Sequence, residues 1–322
     1  TDGMRAAGSG ALQLKLTIPL RRVANTLIEG DYQFLRNELT VDSDLPPLSE
    51  VSGRLQFTGS SVSVKEARAQ LLGSPLTLSA ATRGDGAVAI NAQGSLNIAA
   101  MRKSMDHRLL EHLSGSAPWR GSVVVKNRNA DVRLESSLQG IASSLPEPFN
   151  KTSTETLPFR FERSAQPSAG APRDQLRVAL GEALVAQFLR RHEKERTLIE
   201  HGAIGIGEKP PLPDRGVLLA ASLPAFNVDF WRDLFAGDGG GHPVTALNLR
   251  VGELIAFDRP FHEVNLKAAL QDEAWQGQVA SRDVVGEFSW KADGRGRLRA
   301  RLKQLTLNDT RPGRALVAEE PL

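Results

Sequence analysis

VRLESSLQGIASSLPEPFNKTSTETLPFRFE, residues 132–162, decides how this chain folds. It opens as a half-buried strand, with Val132, Leu134 and Leu138 on one side and Arg133 and Glu135 on the other, because successive side chains of a strand point to opposite faces. Gly140 ends that strand, and Ile141 to Leu145 form a compact apolar turn. Pro146 and Pro148 cannot donate ladder hydrogen bonds and stop any helix. They are expected to hold a crossover at the rim of a sheet, outside any core. Leu157, Phe159 and Phe161 then resume the alternation, with Arg160 and Glu162 facing the other way. Strand, G-x-x-x-x-L-P-x-P-x-x-K, strand is the most specific pattern in the chain, and no residue in it suggests catalysis.

Working outward, period two recurs on both sides. Leu12, Leu14, Leu16 and Ile18 alternate with Gln13, Lys15 and Thr17, and a second strand is expected over Val23–Phe34. Arg54–Thr58 reads as another, and Val62 and Val64 open the next. Leu76, Leu78 and Ala80 run into Arg83-Gly84-Asp85-Gly86, a hairpin signal, and Val88, Ile90 and Ala92 return from it. Ala183–His192 fits helix or strand by pattern. It is read as strand because Arg196–Gly207 resembles the returning arm of a hairpin.

Towards the C-terminus Leu247, Leu249 and Val251 alternate with Asn248 and Arg250. Val264, Leu266, Ala268 and Leu270 alternate with Glu263, Asn265 and Lys267. Trp275 and Val279 follow, then Phe288 and Trp290, and a turn at Asp293-Gly294. Arg295, Arg297, Arg299, Arg301 and Lys303 stand opposite Leu298, Ala300 and Leu302, and the apolar parity slips before Leu305, which predicts a bulge or the strand's end. Strands with one apolar face at this spacing describe an antiparallel meander.

Two stretches read as helical. Leu96–Leu113 places Ile98, Met101, Met105 and Leu109 along one stripe before Gly115, and Phe226–Phe235 gathers Phe230, Trp231, Leu234 and Phe235 before a GDGGG run. Both suit lids or plugs on a sheet. Loops are expected at Ser164–Asp174, Glu208–Arg215 and Gly237–Pro243, the first as an inserted flexible loop. The chain is read as one continuous unit over 1–322, with a sub-boundary near 115–120.

Composition narrows the function. A chain of 322 residues that is 40% hydrophobic and 24% charged is long and apolar enough to fold. A net charge of +3 argues against a dedicated nucleic-acid binder. The absence of cysteine excludes disulfides, thiolate metal sites and cysteine nucleophiles. No apolar run approaches the roughly 20 residues of a membrane span, and TDGMRAAGSG carries no signal-peptide pattern.

Little in the chain suggests chemistry. The six histidines include no H-E-x-x-H, and His107 and His112 are splayed by about 140° on a helix, as surface residues would be. Gly202–Gly207 (GAIGIG) lacks the Lys-Ser/Thr of a phosphate loop and reads as closely packed hairpin backbone. The carboxylates scatter along outward faces, so no enzyme, metal or cofactor is expected. The Arg295–Lys303 row has two readings: a solvated face paired with acids such as Glu287, or a basic stripe for anionic headgroups.

Residues 132–162 resemble the central region of the YhdP family of AsmA-like proteins, relatives of TamB and of bridge-like lipid transfer proteins. The tail carries the same resemblance in Arg250-Val-Gly-Glu-Leu254, Ala256-Phe257 and Trp275–Val279, as do Gly202–Gly207, Leu223-Pro224 and Phe230-Trp231-Arg232. The resemblance implies a mainly β fold: a long, curled antiparallel sheet, open like a taco, with a few short helices. It implies a segment of a larger periplasmic protein, attached to the inner membrane by an N-terminal anchor. Its partners would be phospholipids, carried towards the outer membrane, and other envelope proteins. The groove would be lined by Leu12, Leu14, Leu16, Val132, Leu134, Phe159, Phe161, Leu247, Leu249, Val264, Leu266, Ala268, Leu270, Phe288, Trp290, Leu298 and Leu302. About eighteen strands at roughly 4.8 Å each would span on the order of 85 Å.

Two rival readings stand beside it. One is an assembly scaffold for envelope proteins that carries no lipid. The other is an outer-membrane barrel, disfavoured because one tyrosine and four tryptophans make no double aromatic girdle.

Overall fold

The structure, a computed structural model, describes residues 5–18, 26–40, 44–127, 129–193, 196–235, 244–291 and 296–306. These form nineteen strands, two short α-helices and a 3-10 turn, in two compact units that part between Ala220 and Ala221.

The first unit contains β1 (Arg5–Thr17), β2 (Leu27–Thr40), β3 (Leu48–Thr58), β4 (Val62–Leu71), β5 (Ser74–Thr82), β6 (Val88–Asn97), β7 (Leu113–Lys126) and β8 (Asn129–Ser136). It continues with β9 (Ile141–Ser143), β10 (Phe159–Gln166), β11 (Arg173–Leu180), β12 (Leu184–His192) and β13 (Thr197–Ile206). Each strand pairs antiparallel with its successor, except that β8 pairs with β10 while β9 turns back onto the start of β7. No described ladder joins β13 to β1, so this sheet is open. β14 (Gly216–Asn227) straddles the division. The second unit holds α2 (Val228–Leu234), β15 (Ala246–Ala256), β16 (Arg259–Gln271), β17 (Ala274–Ala280), β18 (Val284–Lys291) and β19 (Arg297–Leu305). Its last five strands form an antiparallel meander.

The strands expected from period two are present, mostly longer than the apolar residues alone suggested. Ala183–His192 is strand, and β13 is its returning arm. The parity slip at the end of β19 is a register shift opposite Val285 and Gly286. The helical stretch 96–113 is broken in two. Asn97 caps α1 (Ile98–Ser104), its side chain accepting from the Ala100 amide, and His107 caps the 3-10 turn Arg108–His112. The loop expected over 164–174 shrinks to 167–172, because Ser164, Ala165 and Gln166 ladder with Gln175, Asp174 and Arg173. β7 runs unbroken through 115–120. The loop at 237–243, the turn at Asp293-Gly294 and the start of the Val23–Phe34 strand fall outside the described residues.

Glycine faces an aromatic ring at several ladder positions. Gly30, Gly202 and Gly277 are the register partners of Phe57, Phe188 and Phe288. A methyl group at each would lie 2.1, 2.3 and 2.8 Å from the partner ring, so the rings rest over the glycine backbone.

The first sheet is curled. Eight ladders separate β3 from β12, about 38 Å if the sheet were flat. Yet Asp44, four residues before β3, lies 2.7 Å from Arg190 on β12, and four extended residues reach only about 14 Å.

Candidate functional site

Antiparallel register places partner residues on the same face, so a row can be followed across the sheet. In the first unit one such row runs Gly10, Phe34, Gly53, Ala67, Leu78, Ala92, Gly121, Leu134, Phe161, Val178, Ala186, Ile204. Every member, over twelve strands, is apolar or glycine. The next row on the opposite face reads Ser79, Asn91, Ser122, Arg133, Glu162, Arg177, Gln187. Ion pairs lace that outer face, among them Arg133–Glu162 at 2.6 Å and Arg120–Glu135 at 3.0 Å. Being exposed, each contributes little stability.

The inner face encloses an apolar cavity of about 400 Å³. Tyr32, Phe34, Leu55, Val64, Leu78, Ile90, Trp119, Val123 and Leu134 line it from the strands, and Leu45 and Pro46 from the β2–β3 connection. Asp44, Leu45 and Pro46 therefore act as a strap over the face. A larger depression, about 1080 Å³, opens at the strand ends beside Arg68, Arg120, Glu135 and Arg160. Its carboxylate is already paired, Glu135 with Arg120 and with Arg160 at 3.3 Å, so the apolar cavity is the better candidate.

At one end of the same inner face sits a buried charge cluster. Arg163, Asp174 and Arg190 are 8, 5 and 7% exposed. Arg190 grips two carboxylates at once. Nε and Nη2 donate to Asp174 at 2.8 Å each, and Nη1 and Nη2 donate to Asp44 of the strap at 2.9 and 2.7 Å. Arg163 Nη1 donates to Asp44 at 3.2 Å and its Nη2 to the Ala130 carbonyl at 3.2 Å. His192 Nε2 lies 2.8 Å from Asp174 Oδ2. Hydrogen bonding from Arg190 holds the Asp44 carboxyl below the usual carboxylate range against the opposing effect of burial. Burial works against the Arg190 charge, but the two carboxylates outweigh it and raise its pKa.

Of the expected lining residues, Val132, Leu134, Phe159 and Phe161 share this inner face, Val132 fully buried and the others half-buried. Leu12, Leu14 and Leu16 share it through Tyr32, Gly30 and Ile28, but are 57, 52 and 51% exposed. In the second unit three rows form. Leu249, Leu266 and Val279 make the first; Leu247, Ala268, Gly277, Phe288 and Ala300 the second; Leu270, Trp275, Trp290 and Leu298 the third. Leu302 lies on the same face opposite Gly286. Val264 and Ala268 are buried, and Leu247, Leu249, Leu266 and Phe288 half-buried. Leu270, Trp290 and Leu302 are each 40% exposed and Leu298 66%. Register thus brings together every expected lining residue within its own unit.

The 132–162 motif is a structural knot. Ile141 and Leu145 are buried, and Ile141 packs with Ile98 of α1 and Ala117 of β7. This corrects the expectation of a turn outside any core: the two prolines are half-buried, and the segment before them is pinned as β9 against α1. Gly140 is required because its φ is +99° and a Cβ there would lie 2.1 Å from the Ser116 carbonyl. Lys151, which closes the G-x-x-x-x-L-P-x-P-x-x-K pattern, donates to the Leu138 and Thr152 carbonyls at 3.0 and 2.9 Å and also to Ile141. Burial lowers its pKa.

The other sequence candidates resolve plainly. His107 accepts from the Leu109 amide and His112 contacts the Ser144 hydroxyl, and no group of metal-holding side chains occurs among the described residues. Gly202 and Gly205 are sites of close backbone packing, as expected. Arg301 stands opposite Glu287 in register, yet neither forms an ion pair among the described residues.

The charge cluster went unread in the sequence, although a signal was there. Arg163 continues the inward parity of Phe159 and Phe161, Asp174 that of Leu176 and Val178, and Arg190 that of Ala186 and Phe188. Three successive strands each break an apolar row with a charge at the same end.

The family described as "YhdP protein" matches residues 1–321. No curated protein and no solved structure matches the chain.

Proposed function

The chain belongs to the YhdP family, and from that premise we propose that it is a segment of a lipid-transfer bridge, carrying glycerophospholipids between the inner and outer membranes of a Gram-negative envelope. The supporting observation is the apolar row followed through twelve strands from Gly10 to Ile204, with the polar row behind it. An acyl chain in water costs roughly 0.8 kcal/mol per CH₂, so a sixteen-carbon chain crossing unaided meets a barrier of about 13 kcal/mol. A continuous apolar floor removes most of that barrier, and because hydrophobic attraction is non-directional it creates no deep minimum along the way. The segment then acts without catalysis, in the periplasm, with attachment to the inner membrane supplied elsewhere in the protein. Other envelope proteins would be partners at its ends. No described helix is long and apolar enough to cross a membrane.

Photo-crosslinking groups placed singly at Leu266 and Lys267, neighbours on opposite faces of β16, test the reading. Phospholipid should be captured from Leu266 and not from Lys267. Capture from neither, together with recovery of a stoichiometric protein partner, would favour a scaffold instead.

A further inference from the structure

We propose that Arg163 and Arg190 form a binding site for a phosphate ester, held in this structure by the Asp44 carboxylate of the strap. The inference rests on the lipid reading above and adds to it a place for the headgroup. Two guanidinium groups on ladder strands are fixed by the sheet, and so is Asp174 on β11 between them. Asp44 differs in kind. It belongs to a connection and is the most exposed carboxylate of the cluster, its side chain 25% accessible against 7% for Asp174. It is the displaceable member.

Charge and geometry both suit the exchange. Asp44 brings one negative charge to the two arginines. A phosphodiester carries one negative charge, so exchanging it for Asp44 leaves the buried charge unchanged and avoids the penalty of an unpaired ion. Arg190 presents Nη1 and Nη2 to the two oxygens of Asp44 at 2.9 and 2.7 Å. That planar fork fits two phosphate oxygens equally well.

The surroundings favour an amphiphile over a free anion. Arg163 has Val132 and Leu176 as register partners, and Phe188 lies opposite Leu176, so the charged end opens directly onto the apolar rows. Leu45 and Pro46 follow Asp44 and wall the apolar cavity. Displacing the carboxylate therefore draws its two apolar neighbours off the cavity, freeing head and tail space together. A tethered carboxylate competes at an effective concentration of order millimolar, which keeps the site weak and exchangeable.

The test uses the purified chain and three probes by calorimetry: dihexanoylphosphatidylglycerol, dihexanoylglycerol, which has the tails without phosphate, and inorganic phosphate. Asp44→Asn should bind the phosphatidylglycerol about tenfold more tightly than the unaltered chain, and Arg163→Gln about tenfold more weakly. Dihexanoylglycerol should bind the unaltered chain and Arg163→Gln alike and gain less from Asp44→Asn than the phosphatidylglycerol does, and inorganic phosphate should bind much more weakly than the lipid. Equal affinity of the phosphatidylglycerol for all three chains, with dihexanoylglycerol still bound, overturns the phosphate site and leaves the groove standing. Binding of neither amphiphile overturns the lipid reading itself. Inorganic phosphate binding as tightly as the lipid would make this a free-anion site and overturn the headgroup assignment. Asp44 lies outside every strand, so its variant keeps the test decisive should Arg163→Gln fail to fold.

Discussion

The two units carry the same alternation to different ends. On β3, β4 and β8 of the first, Val51, Val64, Ala67 and Val132 are all below 8% exposed, and the strap and α1 lie against the face or its end, whereas Leu12, Leu14 and Leu16 on β1 stay open. In the second, the row Leu270, Trp275, Trp290, Leu298 is 40% exposed at Leu270 and at Trp290, half-buried at Trp275 and 66% exposed at Leu298 on the last strand. The pattern in the sequence is indistinguishable between them. Period two says which face a side chain takes; what crosses over that face decides whether it is dry. A covered apolar row behaves as a core, and an open one as a surface.

The sharpest way to break that contrast is to place a carboxylate on each side of it. Val51→Asp buries an unpaired charge and should cost about 3 kcal/mol or more in urea unfolding, enough to threaten folding, whereas Leu298→Asp should stay within about 1 kcal/mol. Similar losses at both positions would mean that the second face is as closed as the first.

Next in size is Lys151→Met. Losing the ammonium removes one donor from each of the Leu138, Ile141 and Thr152 carbonyls, of which Leu138 keeps the Ile141 amide, and should cost about 2 kcal/mol. Lys267→Met, on the outer face of the second unit, should cost less than about 0.5 kcal/mol.

A smaller effect comes from acid. The carboxyl of Asp44 is held below its ordinary pKa, so its contribution is complete above the unfolded value and fades as pH falls through the folded one. Stability should be flat from pH 8 to about 5 on this account and decline below about 4, more steeply in the unaltered chain than in Asp44→Asn. Parallel melting-temperature profiles for the two chains would show that the strap is not held by this pairing.

The smallest expected change is Leu298→Ser. At 66% exposure it should shift stability by no more than about 0.5 kcal/mol. A larger loss would show that something packs on the open row in solution.

These contrasts also mark how far the sequence could be read. Leu134, Phe161 and Leu266 declare their face through their neighbours one and two residues away, so strands, parity and even the bulge near Leu302 were legible. The strap was not. Asp44 meets Arg163 and Arg190 across 119 and 146 residues of chain, and no local pattern encodes a contact at that separation. The apolar turn at Ile141–Leu145 was recognised, but its burial depended on Ile98 arriving from α1. Exposure at Leu298 follows from the absence of a covering element among the described residues, which alternation cannot report.

The glycines set beneath aromatic rings have one further consequence. A phenylalanine whose neighbour has a side chain must stand upright, and a row of upright rings makes a ridged floor. At Gly30, Gly202 and Gly277 the partner ring can lie down instead. The surface is thereby planed smooth at these three rings. Anything resting on it meets broad, flat faces with shallow corrugation from one strand to the next, and a single methyl group at any of the three would raise a bump.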